Sequence, residues 1–255
     1  MDPEMITFET KVWEGDWRIV LKTGRLKKII KSLNCGFAEK VLYINNVKNR
    51  DVVEKEAQKQ VKSGVVTSYV FVEDHAEGTL KHFGMTKDDF KGGYFYSIQE
   101  LTGILLCKTK YLLHMTGDAI VSNRESWINE SAALMEKDPC IFAANPNGDP
   151  QDVAENLVEE EGDFYKGYGF SDQCYLIRAA DFQKNIYTEA HPASSRYPVY
   201  GGELFEKRVD SYMRNHGLYR LTSKKALYKH QNFPKDPVRR ALLYLTGINL
   251  KKGKH

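Results

Sequence analysis

Asp118 closes the run HMTGD at residues 114 to 118, a carboxylate with Gly117 beside it, directly after the apolar stretch Tyr111–Met115. Ligands of open α/β sheets gather at the carboxyl ends of strands, so an acid there is well placed for chemistry. It can hold Mg2+ or Mn2+ against a diphosphate, because hard cations prefer oxygen donors. The competing reading is a turn-forming aspartate that caps the next segment. Glu73 and Asp74 repeat the arrangement after the apolar run 69–72. A carboxylate there can accept bonds from a base or a ribose hydroxyl, the competing reading being a solvated acidic turn.

Further groups have the types for recognition. Tyr165, Tyr168 and Phe170 can stack on a sugar face or pack a loop. Asp172 can orient acceptor hydroxyls or cap a turn. His114, inside the apolar run, reads as packed, and Trp127 as a core anchor. Several signatures are missing: there is no GxGxxG after the first strand, no GxxxxGK[ST], no HExxH and no GxSxG. Dinucleotide-dependent hydride transfer, P-loop hydrolysis and serine-nucleophile chemistry therefore lose ground.

The elements that must position these residues alternate. Strands are expected at Ile6–Phe8, Trp17–Leu21, Val41–Ile44, Tyr69–Val72, Tyr111–Met115, Cys140–Ala144 and Cys174–Ile177. Helices are expected from about Leu26 to Leu33, Asp51 to Lys62 (with Asp51 as cap), Tyr96 to Leu106, Trp127 to Met135, Leu204 to His216 and Val238 to Tyr244, from apolar residues at helical spacing. Residues 190–202 read as a loop and 219–228 as mixed. Helices and strands in alternation predict an α/β fold, a mainly parallel central sheet flanked by helices.

The 255 residues suit one continuous fold, with a first half over 1–148 and a second over 149–255. With 37 basic and 34 acidic residues the charge is nearly balanced. That argues against a nucleic-acid binder, which concentrates positive charge. Cys35, Cys107, Cys140 and Cys174 read as buried free thiols in a reducing compartment. No leader or long apolar run is visible, so the expectation is a cytoplasmic protein without a transmembrane segment. The basic stretch Lys251 to His255 offers peripheral contact with an anionic surface, a solvated tail being the competing reading.

The order of elements, with HMTGD after a hydrophobic strand, resembles the GT-A glycosyltransferases over about residues 5 to 232. In that fold a short acidic motif holds the metal and the sugar-nucleotide diphosphate. Here Asp118 matches its last acid, and Thr116 stands where the first acid would be. The resemblance implies a nucleotide-sugar donor, a saccharide or glycan acceptor, Mn2+ or Mg2+, and a role in polysaccharide biosynthesis of the bacterial or viral surface-glycan type. It places the nucleotide half in the first part of the chain and the acceptor half in the second. It puts either Thr10 and Lys11 or Lys22 to Arg25 in the nucleotide pocket, Glu73 and Asp74 at the base, and His230 with Asp118 on the metal. It offers Glu203 and Glu206 as the base of an inverting transfer, with Glu203 preferred and Asp172 next. Two readings stay beside it: a nucleotidyltransferase acting on sugar phosphates, and a non-catalytic carbohydrate- or nucleotide-binding protein on the same fold.

Overall fold

The computed structural model describes residues 5–123, 125–198 and 202–246. Their strands are β1 (Ile6–Val12), β2 (Glu39–Ile44), β3 (Ser68–Phe71), β4 (Tyr111–Met115), β5 (Ala119–Val121), β6 (Ile141–Asn147), β7 (Leu157–Glu161), β8 (Phe164–Gly167), β9 (Cys174–Arg178) and β10 (Tyr219–His230). Their helices are α1 (Trp17–Lys22), α2 (Arg25–Ser32), α3 (Arg50–Lys62), α4 (Ala76–His82), α5 (Tyr94–Leu106), α6 (Trp127–Lys137), α7 (Pro150–Asn156), α8 (Ala179–Phe182), α9 (Phe205–Asn215) and α10 (Pro237–Thr246).

The strand order is β3-β2-β1-β4-β9-β6-β10-β8-β7, with β5 paired to the end of β10. Strands β3, β2, β1 and β4 are parallel neighbours. Strand β9 runs antiparallel between β4 and β6, and β6 and β10 are again parallel to each other. This is the expected mixed, mainly parallel sheet flanked by helices. The apolar runs expected as its strands lie on β2, β3, β4 and β6.

Each face of the sheet is covered. On one side Ile6, Phe8 and Val12 of β1 join Leu113, Met115 and Leu176 in a core shared with α1, α2, α3 and α6. On the other, Leu112, Tyr175 and Ile177 pack with Phe170, Phe182, Phe205 and Val209. The alternation along β1 sends Thr7, Glu9 and Lys11 to this second side, because successive side chains of a strand point to opposite faces. Glu9 is level with His114 on β4, and His114 with Tyr175 on β9, so one polar row crosses three central strands.

Several local expectations are corrected. Trp17–Leu21 is helical, not a strand. Its apolar run looks like a strand in isolation, but Asp16 O accepts from Ile19 N and Val20 N, at 2.8 and 3.0 Å, and the turn buries Trp17, Val20 and Leu21 together. Asn49, not Asp51, caps α3: its side chain accepts from Val52 N. The stretch read as mixed is one 12-residue strand, β10, held by β6, β8 and β5. Of the four free cysteines Cys107 and Cys174 are buried, whereas Cys140 is exposed. The loop over 190–202 contains a 3-10 turn, Pro192–Arg196. Gly201 and the stretch Lys251 to His255 lie outside the described residues. Among the described residues no helix is long and apolar enough to cross a membrane.

Candidate functional site

Strands β1, β4, β6 and β10 share a direction, so their carboxyl ends reach one edge of the sheet. Strand β4 is followed by a turn through Thr116, Gly117 and Asp118 into β5, which pairs antiparallel with the end of β10 and sets Ala119 opposite His230. The Gln231 amide donates to Asp118 O at 2.8 Å. This ladder brings the side chains together: His230 Nε2 lies 2.9 Å from Asp118 Oδ2, across 112 residues of sequence. Burial pushes the Asp118 carboxyl up, but the His230 hydrogen bond and charge outweigh it and hold it below its usual range. The same hydrogen bond raises His230 against the opposing effect of burial.

Gly117 is required by close approach. A Cβ there would meet Val20 Cγ2 of α1 at 2.7 Å and Lys11 O at 3.4 Å. Arg25 fixes the turn from beneath, donating from Nε to Gly117 O at 3.1 Å and from Nη2 to Ala119 O at 3.2 Å, while Nη1 reaches Gln231 Oε1. Its guanidinium is thus engaged in positioning the loop that carries Asp118.

Lys11 stands near this edge on the second face of the sheet. Its ammonium pairs with the fully buried Glu100 of α5, and its side chain is 24% exposed. Burial alone would lower it, but Glu100, Asp172 and Asp118 together raise it, so it remains a fixed positive charge. Thr10 is turned the other way, its Oγ1 donating to Met115 O at 2.6 Å. Lys22 lies over the Tyr244 ring, 5.5 Å from its centroid. Each of the two alternatives for the nucleotide pocket thus has one cation in the surroundings of Asp118, Lys11 in the one and Arg25 in the other, while Thr10 turns away and Lys22 packs against α10.

Asp172 and Glu206 form a second acidic pair. The Asp172 amide donates to Glu206 Oε2 at 3.3 Å. Burial, and then the Asp172 charge, push the Glu206 carboxyl well above its ordinary range, although Lys11 and Arg196 act in the opposite sense. Glu203 is placed differently. Its carboxylate meets Lys207 at 3.0 Å and Lys91 at 3.8 Å. Burial would raise it, but the Lys207 hydrogen bond and the nearby cations lower it.

Glu206 and His230 line one cavity of about 340 Å³, with Asn145, Asp152, Arg196 and Arg220. Their partners Asp172 and Asp118 stand beside them. Asp152 links the two arginines, and Arg220, 5% exposed, keeps an Nε without a hydrogen-bond partner among the described residues. Glu203 is not among the lining residues. Phe170 lines the cavity from the core side, whereas Tyr168 packs on Tyr219 and Tyr165 lies under Lys224. Glu73 and Asp74 follow β3 at the far end of the sheet, where Glu73 accepts from the Asn46 amide and Arg50 grips Asp74 through two bonds.

Glu9, Glu100, Asp152, Arg196 and Arg220 escaped sequence reasoning. For Glu9 a signal was present: Glu9 and Lys11 alternate with Phe8, Thr10 and Val12, continuing past the strand expected at Ile6–Phe8. Burial, reinforced by Glu100, raises Glu9 well above the ordinary range, and burial with the Lys11 charge lowers His114 well below it. Both shifts disfavour the charged forms of the two groups, whose contact, His114 Nδ1 to Glu9 Oε1, is 3.0 Å.

A divalent ion at this turn would be met by the Asp118 carboxylate and the His230 imidazole, which bond each other here. Among the described residues no group of three or more His, Cys, Asp and Glu side chains is arranged to hold a metal.

Neither a protein-family model nor a curated protein sequence matches the chain. Solved structures similar to it include GalNAc-T7 with UDP, GalNAc and Mn2+, at 12% identity and a TM-score of 0.49 over 89% of this chain and 43% of that one. UDP-glucose pyrophosphorylase complexed with UDP-glucose has 12% identity and a TM-score of 0.47 over 88% and 92% of the two chains. Residues 1–349 of S. aureus TarS have 12% identity and a TM-score of 0.45 over 88% and 59%. The chain thus spans less than two thirds of the first and third of these structures.

Proposed function

We propose that the protein transfers a glycosyl group from a nucleoside-diphosphate sugar to a hydroxyl of a saccharide or glycan acceptor. The observation that carries this reading is one cavity lined by both His230, which bonds Asp118, and Glu206, which bonds the Asp172 amide, with the Lys11 charge acting on these acids. In the transfer, the acceptor oxygen attacks the anomeric carbon, the carbon–oxygen bond to the diphosphate breaks, and the diphosphate leaves with the electron pair. The acceptor proton must go to a base, and a carboxylate with raised proton affinity accepts a proton more readily than an ordinary one. Glu206 is that group, with Asp172 tuning it. Lys11 faces the negative charge that develops on the leaving group, where a preorganised cation is most effective. Asp118 and His230 would hold a divalent ion, which would add positive charge at the same place.

The test is direct. The chain is incubated with UDP-, GDP- and dTDP-sugars and Mn2+, with and without saccharides, and release of nucleoside diphosphate is followed. Acceptor-stimulated release supports sugar transfer. Pyrophosphate formed from a nucleoside triphosphate and a sugar phosphate identifies nucleotidyl transfer instead. Tight nucleotide binding with neither product identifies a binding protein.

A further inference from the structure

The cavity follows β10. Arg220 is the second residue of that strand and His230 the last, and both line the cavity. The proposed transfer employs His230 and Glu206 and leaves the arginines at the other end of the strand without a task.

Arg196 and Arg220 meet there on a single carboxylate. Arg196 Nη1 bonds Asp152 Oδ1, and Arg220 Nη2 donates to Asp152 Oδ2 at 2.8 Å. The Gly169 backbone, at φ +108°, approaches both guanidinium groups: a Cβ there would lie 2.7 Å from Arg196 Nη2 and 3.3 Å from Arg220 Cζ. Arg196 is also held by Tyr197, donating from Nη2 to its hydroxyl at 2.9 Å.

Asp152 does not exhaust the two groups. Asp210 is 4.0 Å from Arg196 Nε, but it is bonded more closely by Arg214, at 3.0 Å, and by Ser194, at 2.6 Å. Three arginines thus meet two acids. Asp149 lines the cavity as well, with its Oδ1 taken up by the Gln151 and Asp152 amides at the start of α7. Arg220 is 5% exposed, and its Nε has no partner among the described residues. A guanidinium carries five N–H donors, and leaving one unbonded away from water is costly, so an acceptor bound there is favoured.

We infer that Arg196 and Arg220 form a subsite for an anionic substituent of the acceptor, a carboxylate or a phosphate carried by a saccharide. The planar fork of a guanidinium matches either group through two parallel bonds. The subsite rests on the sugar-transfer reading, which gives the His230 end of the cavity to the donor diphosphate and the Arg220 end to the acceptor.

The experiment is calorimetric titration of the full chain, without nucleotide, by glucose, glucuronate, glucose 6-phosphate and inorganic phosphate. The charged sugars should bind about tenfold or more tightly than glucose, the scale of one charge-assisted hydrogen bond. The tighter of the two identifies the substituent as carboxylate or phosphate. Arg196→Gln should remove most of this preference. Arg220→Lys, which keeps the charge and loses the fork, should lower it too, with glucose binding unchanged in both. Asp152→Asn removes the competing carboxylate at constant size and should tighten binding of the charged sugars, which keeps the subsite testable should an arginine variant fail to fold. Equal binding of charged and neutral sugars overturns the inference. So does a preference untouched by all three variants, or inorganic phosphate bound as tightly as either charged sugar, which would mark an adventitious ion only. A charged-sugar preference in a chain that transfers no sugar would sink the sugar-transfer reading and keep the subsite. Transfer to neutral saccharides with no such preference would do the reverse.

Discussion

Asp172 and Glu206 touch through the Asp172 amide and Glu206 Oε2, 3.3 Å apart. The contact joins the loop before β9 to the first turn of α9 and places both acids beside one cavity. Burial and the neighbouring charge give Glu206 a proton affinity far from that of Glu203, only three residues earlier.

Glu206→Gln should therefore lower turnover by about 10²- to 10⁴-fold, the range for loss of a general base. Glu203→Gln should change it much less. The wild-type rate should rise with pH as Glu206 loses its proton, and the variant should lack that rise. Steady-state rates across pH at saturating donor and acceptor decide the matter. If Glu203→Gln is the crippled variant, the base is Glu203.

Asp118→Ala should weaken nucleotide binding in the presence of Mn2+ and remove turnover, and His230→Ala should act in the same direction. Calorimetric titration of UDP, GDP and dTDP, with and without Mn2+, measures this. Unchanged affinity and rate at saturating Mn2+ would reject the assignment.

Gly103 of α5 passes over Glu9 so closely that a Cβ would lie 2.0 Å from Glu9 Oε2. Both are buried, and overpacking a core typically costs about 1–3 kcal/mol. Gly103→Ala should lower stability by that amount, and adding Glu9→Ala should restore part of the loss relative to Glu9→Ala alone. Urea unfolding of the four proteins reads the coupling. Additive effects would show that the two positions do not touch.

Glu9 binds its proton more tightly folded than unfolded. Such a group stabilises the fold below its unfolded pKa, and the contribution is lost as pH rises through the folded pKa. Glu9→Gln, which keeps the shape without the charge, should flatten this loss. The melting temperature of the variant should gain on the wild type as pH increases from about 5 to 9. A pH-independent difference would show that Glu9 is ionised in the core.

Much of the fold was legible in the amino-acid order. The apolar runs on β2, β3, β4 and β6 are short and bounded by polar residues, and burial on both faces writes such runs directly into a strand. The position of Asp118 at the end of one of these strands was legible for the same reason. Trp17–Leu21 was not, because a short apolar run satisfies a strand or one buried helical turn, and contacts with the rest of the fold chose the turn. The meeting of Asp118 with His230 depends on β5 pairing with the end of β10, 112 residues away in sequence. Whether Glu203 or Glu206 faces the cavity depends on where α9 begins and how it is rotated against Phe170 and Ser97. Local patterning determined which segments became strands and helices, because burial acts on neighbouring residues. The pairing of distant side chains was decided only by tertiary structure, because strand order and helix rotation are set by packing among segments far apart in the chain.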